Sequence, residues 1–204
     1  MQPLVADNLP LIGVLVASVL IWRVLETIVE IRSFKRLRRV GVRRQDNGSK
    51  VALIGLFALG GLLGALVAVK LPIAAVTPNM SARIALFWLG MLLFTGGVAL
   101  RLYAIHMLGA YFTTDVAIAP DQTVVETGSY RFIRHPSYTG ILLALLGTGL
   151  IVFANWLSVL ALMGCILLGI AYRIAVEERT LQSQLGQPYQ EYMQRTKRLI
   201  PFVI

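Results

Sequence analysis

The sequence predicts an all-α integral membrane protein of about five transmembrane helices. Three observations predict it. First, 57% of the 204 residues are hydrophobic and only 14% are charged, against about 25% charged in a typical soluble domain. Second, the mean hydropathy is +0.73, and a chain of this size has no interior large enough to hide that much apolar surface without lipid. Third, the apolar residues fall into five runs, and the basic residues gather in alternate segments between them. The chain reads as one membrane domain over residues 1–204, with three spans in 1–100 and a polar segment, two spans and a terminal helix in 101–204.

The first run covers residues 9–31. Its purely apolar part, Leu9 to Trp22, is short for a span of about 20 residues. Arg23, Glu26 and Glu30 follow at i, i+3, i+7, so they share one helix face and can turn toward the bundle or the headgroups. Met1 to Asn8 has no basic start, so no cleavable leader is read there. Residues 32–50 carry eight basic side chains and read as a positively charged loop anchoring the inner side. Asp46-Asn47-Gly48-Ser49 is turn chemistry before the next helix.

The second span is Val51 to Val69, where Gly60 and Gly64 form a small-xxx-small face. Residues 70–81, with Pro72 and Pro78, form an outside turn, and Ile84 to Leu100 is the third span with Gly90, Gly96 and Gly97. Residues 101–134 form a long polar segment, and a segment of that length tends to be functional. The fourth span is Tyr138 to Ala154, Asn155 makes a tight turn, and the fifth span is Trp156 to Ile174. The tail starts amphipathic, with Leu181 and Leu185 one turn apart, and is then broken by Gly186 and Pro188. Its Tyr189 and Tyr192 suit a membrane interface.

The net charge is +9. Basic residues lying between apolar runs point to membrane topology and anionic headgroups rather than to nucleic acid. Counting them puts residues 32–50, 101–134 and 173 onward on one side, with Lys70 and Arg83 on the other. Five spans then place the N-terminus outside and the C-terminus in the cytoplasm, for a protein of the cell inner membrane. The lone Cys165 lies in an apolar run and reads as a small hydrophobe.

Two polar knots stand out. Gly128 to Gly140 packs Arg131, Arg134, His135, Tyr130 and Tyr138 where a loop enters an apolar helix. Pro136 suits the first helical turn, so Arg134 and the helix start form an anion-binding corner. Two histidines, His106 and His135, with no cysteine beside them make a poor metal site. The second knot is Arg173 to Glu178. Carboxylates such as Glu177 and Glu178 are costly in the bilayer, so they sit at a boundary or in a site. Arg173 lies one turn before Glu177 and can either pair with it or grip a carboxylate.

Arg-His-Pro-Ser-Tyr-x-Gly (134–140), Glu-Glu-x-x-Leu (177–181), Gly-x-x-Tyr-x-x-Tyr (186–192) and Arg-x-x-Pro (198–201) together resemble the isoprenylcysteine carboxyl methyltransferase family, within a wider group of membrane phospholipid methyltransferases. The resemblance runs from about His106 to the C-terminus. It implies a cytoplasm-facing pocket for S-adenosyl-L-methionine built by the C-terminal helices and loops. By that resemblance the cofactor contacts fall on Gln122, Thr123, Val124, Val125, Tyr130, Arg134, His135, Pro136, Ser137, Tyr138 and Glu177. Arg173 takes the position that holds a substrate carboxylate, and Asp115 aligns with a cofactor-contacting position. The acceptor is lipid-like, with carboxyl O-methylation of an isoprenylcysteine-type substrate favoured.

A carboxylate acceptor is already ionised at neutral pH and needs no base. An amine acceptor, as in phospholipid N-methylation, would need one, and Glu178 is the candidate. Membrane reductases using a nicotinamide cofactor form a further rival. A small transporter or membrane partner is the non-enzymatic alternative, but the span interiors are apolar and the polar groups collect at one end. The acceptor's identity and the oligomeric state stay open at the level of sequence.

Overall fold

A computed structural model describes residues 8–40, 46–71, 79–117 and 122–200. Pro72 and Pro78 of the expected outside turn, and Pro201, lie outside the described residues. Among the described residues six helices follow in order: α1 (Leu9–Val40), α2 (Ser49–Lys70), α3 (Met80–Leu108), α4 (Pro136–Phe153), α5 (Trp156–Leu185) and α6 (Gln187–Arg195), with short 3₁₀ turns at Gly109–Tyr111 and Gly128–Arg131. The first five are long and apolar enough to cross a bilayer. The chain is therefore an all-helical, multi-pass integral membrane protein. Among the described residues the β pairing is an isolated parallel bridge, Ile133 with Lys197.

Three helices run past the expected spans. Residues 32–40, expected as loop, continue α1. They hold Arg, Lys and Leu, strong helix formers, and no Gly or Pro. α3 continues from Leu100 to Leu108 because Arg101 is buried and paired rather than solvated. α5 continues to Leu185. Its 30 residues span about 45 Å, longer than a hydrocarbon core of about 30 Å, so its C-terminal turns stand clear of the lipid.

The starts are capped as the sequence invites. Asn79 accepts the Ser81 amide at 2.9 Å, and Asn155 accepts that of Ser158 at 3.1 Å. The Asn155 side chain also donates to the Leu71 carbonyl at 3.0 Å, tying the α4–α5 turn to the end of α2. Asp46 opens α2: its backbone carbonyl accepts the Ser49 amide at 2.8 Å and its carboxylate accepts the Lys50 amide at 3.0 Å.

Glycines set the pairing of the bundle. α3 and α4 touch backbone to backbone. A Cβ on Gly147 would collide with the Gly90 carbonyl oxygen, and one on Gly140 would lie 2.6 Å from that of Gly97. α2 meets α5 the same way, Gly60 against Leu162 and Cys165, and Gly64 against Ser158. Gly147→Ala is therefore expected to cost about 1–3 kcal/mol by overpacking, whereas Gly96, with open space at its Cβ, should accept alanine without loss. Thermal unfolding of the two variants in one detergent checks this.

α1 stands apart from this close packing. It reaches α3 through side chains: Leu15 with Phe87 and Met91, Trp22 edge-on to Phe94 at 5.6 Å, and Glu26 with Arg101. A helix held by side chains rather than by backbone contact leaves room beside it, and the functional cavity fills that room.

Candidate functional site

The C-terminal end of α1, the N-terminus of α2, the C-terminus of α3, the start of α4 and the end of α5 all gather at one end of the bundle, where α6 and the 122–134 segment close over them. Below this cover lies a cavity of about 470 Å³, within the range of small-molecule and cofactor sites. Its upper part is lined by residues 122–125, Tyr130, Leu185 and Tyr189. Its lower part is apolar, with Trp22 from α1, Leu53 and Phe57 from α2, and Leu145 and Ile166 from α4 and α5.

A charged waist separates the two parts. On one side Arg101, buried, donates through Nε and Nη2 to the Glu26 carboxylate and through Nη1 to the Ser137 hydroxyl at 2.6 Å. Trp22 Nε1 donates to the same carboxylate at 3.0 Å. On the other side Arg173, also buried, donates to the Tyr138 hydroxyl at 3.0 Å, to the Ser49 hydroxyl at 2.9 Å, to the Thr114 carbonyl at 2.7 Å and to Asp46. Burial alone would raise the Asp46 carboxyl, but the Lys50 amide, Arg173 and the Ser49 hydroxyl together hold it below the usual carboxylate range. Glu177, which lines the cavity, accepts from the Tyr138 hydroxyl through Oε2 at 2.8 Å.

Every expected cofactor contact except Pro136 lines this cavity: Gln122, Thr123, Val124, Val125 and Tyr130; then Arg134, His135, Ser137, Tyr138 and Glu177. Arg173 and Asp115 line it too, and Asp115 pairs with Lys50 at 3.4 Å. Pro136 is buried at the first turn of α4 and shapes the corner from behind. Burial raises the phenols of Tyr130, Tyr189 and Tyr192 far above their ordinary value, so they are neutral aromatic walls.

The geometry differs from four expectations. Glu178, the candidate base, is not among the residues that line the cavity. It is buried away from the cavity lining and accepts from Arg134 Nε at 2.9 Å and from Arg198 Nε at 3.0 Å, with His135 Nε2 at 3.3 Å. A carboxylate fixed among three cationic or donor groups has little affinity for another proton. Arg134 is less available to an anion than its place suggested. Nε is held by Glu178, and Nη1 by the carbonyls of Met193 and Thr196. Of the Arg134 nitrogens, Nη2 is the one with no hydrogen bond among the described residues. Arg173 pairs with Asp46 rather than with Glu177 one turn away. Tyr189 and Tyr192 are buried rather than interfacial, and Tyr192 donates to the Tyr130 carbonyl at 2.7 Å.

Sequence reasoning missed Glu26, Asp46 and Arg101 as site residues. Glu26 gave a signal, a charged face on an apolar helix. Arg101 read as the start of the 101–134 polar segment and Asp46 as turn chemistry, and nothing local told otherwise.

The comparisons with known proteins agree with one another. Residues 88–183 match the isoprenylcysteine carboxyl methyltransferase family. Protein-S-isoprenylcysteine O-methyltransferase B of Arabidopsis thaliana is 36% identical over 109 residues, 52% of this chain and 55% of that protein. The protein-S-isoprenylcysteine O-methyltransferase of Schizosaccharomyces pombe is 32% identical over 109 residues, covering 46% of that protein. The chain thus spans about half the length of the curated relatives it matches. A solved structure of the eukaryotic intramembrane Ras methyltransferase superposes with a TM-score of 0.53 at 23% identity, over 89% of this chain and 65% of that one, which shows the shared membrane fold.

Proposed function

We propose, from the match of residues 88–183 to the isoprenylcysteine carboxyl methyltransferase family, that this chain is a member of that family and an S-adenosylmethionine-dependent membrane methyltransferase that esterifies the carboxylate of a lipid-like, isoprenylcysteine-type acceptor. The observation that carries this reading is the single cavity whose polar and apolar ends meet at Arg173 and Glu177. A methyl donor of the sulfonium type and a greasy acceptor need two such compartments, joined where the methyl group passes.

The residues present fit the donor. Such a donor supplies an electrophilic methyl group on a positively charged sulfur. Glu177 Oε1 suits an ammonium or a ribose hydroxyl, and Arg134 Nη2 suits a carboxylate. The neutral phenols of Tyr130 and Tyr189 offer faces to a purine, and the 122–125 segment offers a strip of backbone outside any regular element. No base is required for a carboxylate acceptor, which accords with Glu178 being fully engaged. Holding the two reactants in line and out of water can supply about 7–11 kcal/mol of the barrier.

The acceptor's tail takes the apolar part of the cavity, which Trp22 and Phe57 bound on the side where α1 stands away from the bundle. The polar end faces the cytoplasm and the N-terminus lies outside, in the cell inner membrane, following the basic residues at the ends of α1, α5 and α6. Membranes carrying the protein, given S-adenosylmethionine labelled on its methyl group, should yield a lipid-soluble product whose label is released as methanol by mild base. A base-stable label would mean an N-methyl product, and absence of label over control membranes would sink the reading.

A further inference from the structure

We propose that Asp46, on the connection between α1 and α2, is the built-in counter-anion of Arg173 and sets how tightly this enzyme holds an anionic acceptor. The inference rests on the methyltransferase reading above and adds a residue from the half of the chain that lies outside the family match.

A guanidinium has five N–H groups. On Arg173, Nε donates to Tyr138, Nη1 donates to both Asp46 and Ser49, and Nη2 donates to the Thr114 carbonyl. One N–H is left for a ligand. The positive charge is likewise matched, by a carboxylate 127 positions away in sequence. Asp46 is itself held in place. Its carboxylate accepts the Ser49 hydroxyl at 2.9 Å and the Lys50 amide at 3.0 Å, and its carbonyl accepts the Ser49 amide at 2.8 Å. It does not swing away freely when an acceptor arrives.

An acceptor carboxylate at Arg173 therefore meets a neutralised couple with one open donor, not a bare cation. Its attraction to that place is set by how much of the guanidinium Asp46 retains. Esterification removes the acceptor's charge, and the couple then has no electrostatic hold on the product. Asp46 is a positioning residue with a consequence for selectivity: it weakens the grip on the anionic acceptor and leaves a neutral ligand of the same shape unaffected.

The test compares KM for an N-acetyl-S-prenylcysteine with the inhibition constant of its neutral carboxamide. Asp46→Asn should lower KM for the acid about fivefold or more, because a buried arginine loses its internal partner and takes the acceptor as its replacement. The inhibition constant of the carboxamide should stay within about twofold. Asp46→Ser, which keeps a capping oxygen for the α2 amides, should shift both values in the same way. An unchanged or higher KM, or equal changes for acid and amide, would overturn the proposal. So would loss of folding in both variants, judged by thermal unfolding, since Asp46 would then be a cap alone. A wild-type protein that methylates no carboxylic acid would overturn the function proposed above, and this inference with it; a wild-type ester product without the charge-selective shift would overturn this inference alone.

Discussion

Glu178→Gln is expected to lower stability by about 3–5 kcal/mol, the range for breaking a buried ion pair from one side, and to loosen the chain beyond α6. The reason lies in what the carboxylate joins. Arg134 and His135 precede α4, Glu178 sits on α5, and Arg198 lies past α6. Around this hub the 196–199 segment lies along the start of α4. The amides of Arg134 and His135 donate to the carbonyls of Lys197 and Arg198 at 2.7 and 2.9 Å, and the Thr139 hydroxyl donates to the Leu199 carbonyl at 2.7 Å. The Glu178 side chain is 3% exposed and that of Arg134 8%, so removing the negative charge leaves a largely buried guanidinium without its counter-ion. Thermal unfolding in detergent should show the loss, and limited proteolysis should cut earlier near Arg195 to Arg198. If Glu178 were instead a base for an amine, the glutamine variant would keep its melting temperature and lose only transfer to amines.

How much of this was legible beforehand depended on the kind of signal. The five spans follow from apolar runs, because lipid leaves few other arrangements for them. Gly60 and Gly64 announced a close helix contact through their spacing alone, and they make it against α5. The surroundings of the cavity were legible where residues cluster in sequence, as at 134–138, where neighbours in the chain stay neighbours in space. Partners far apart in sequence were not legible. Arg173 to Asp46 and Arg101 to Glu26 join residues 127 and 75 positions apart, and at Asp46, Arg101 and Arg173 the local pattern offered a cheaper explanation: a turn, the start of a polar segment, an i, i+4 pair. The misplacement of Tyr189 and Tyr192 has the same origin. An amphipathic ring suits a membrane interface equally well as a buried wall, and only the fold of α6 back over Tyr130 decides between them.

Glu177→Gln separates from its neighbour's variant, although the two glutamates are adjacent. Consecutive helical positions point about 100° apart, so Glu178 turns to the hub and Glu177 to the cavity. Glu177 has one oxygen committed, to the Tyr138 hydroxyl at 2.8 Å. Glutamine keeps an oxygen for that phenol, and the packing should survive. The charge on the cavity side is lost. A hydrogen bond to a charged group contributes about 1.5–3 kcal/mol, so binding of S-adenosylmethionine should weaken roughly 10- to 100-fold, with methyl transfer falling at least as far under subsaturating donor. Calorimetry of the purified variant reads the first effect, and labelled-product assays read the second. His135→Ala belongs with Glu178 in this division, because His135 Nε2 faces that carboxylate and its loss should register in the melting temperature as well as in activity. Should Glu177→Gln bind the donor as tightly as the parent protein, the donor does not rest against this carboxylate, and the upper part of the cavity would have to be reassigned to the acceptor.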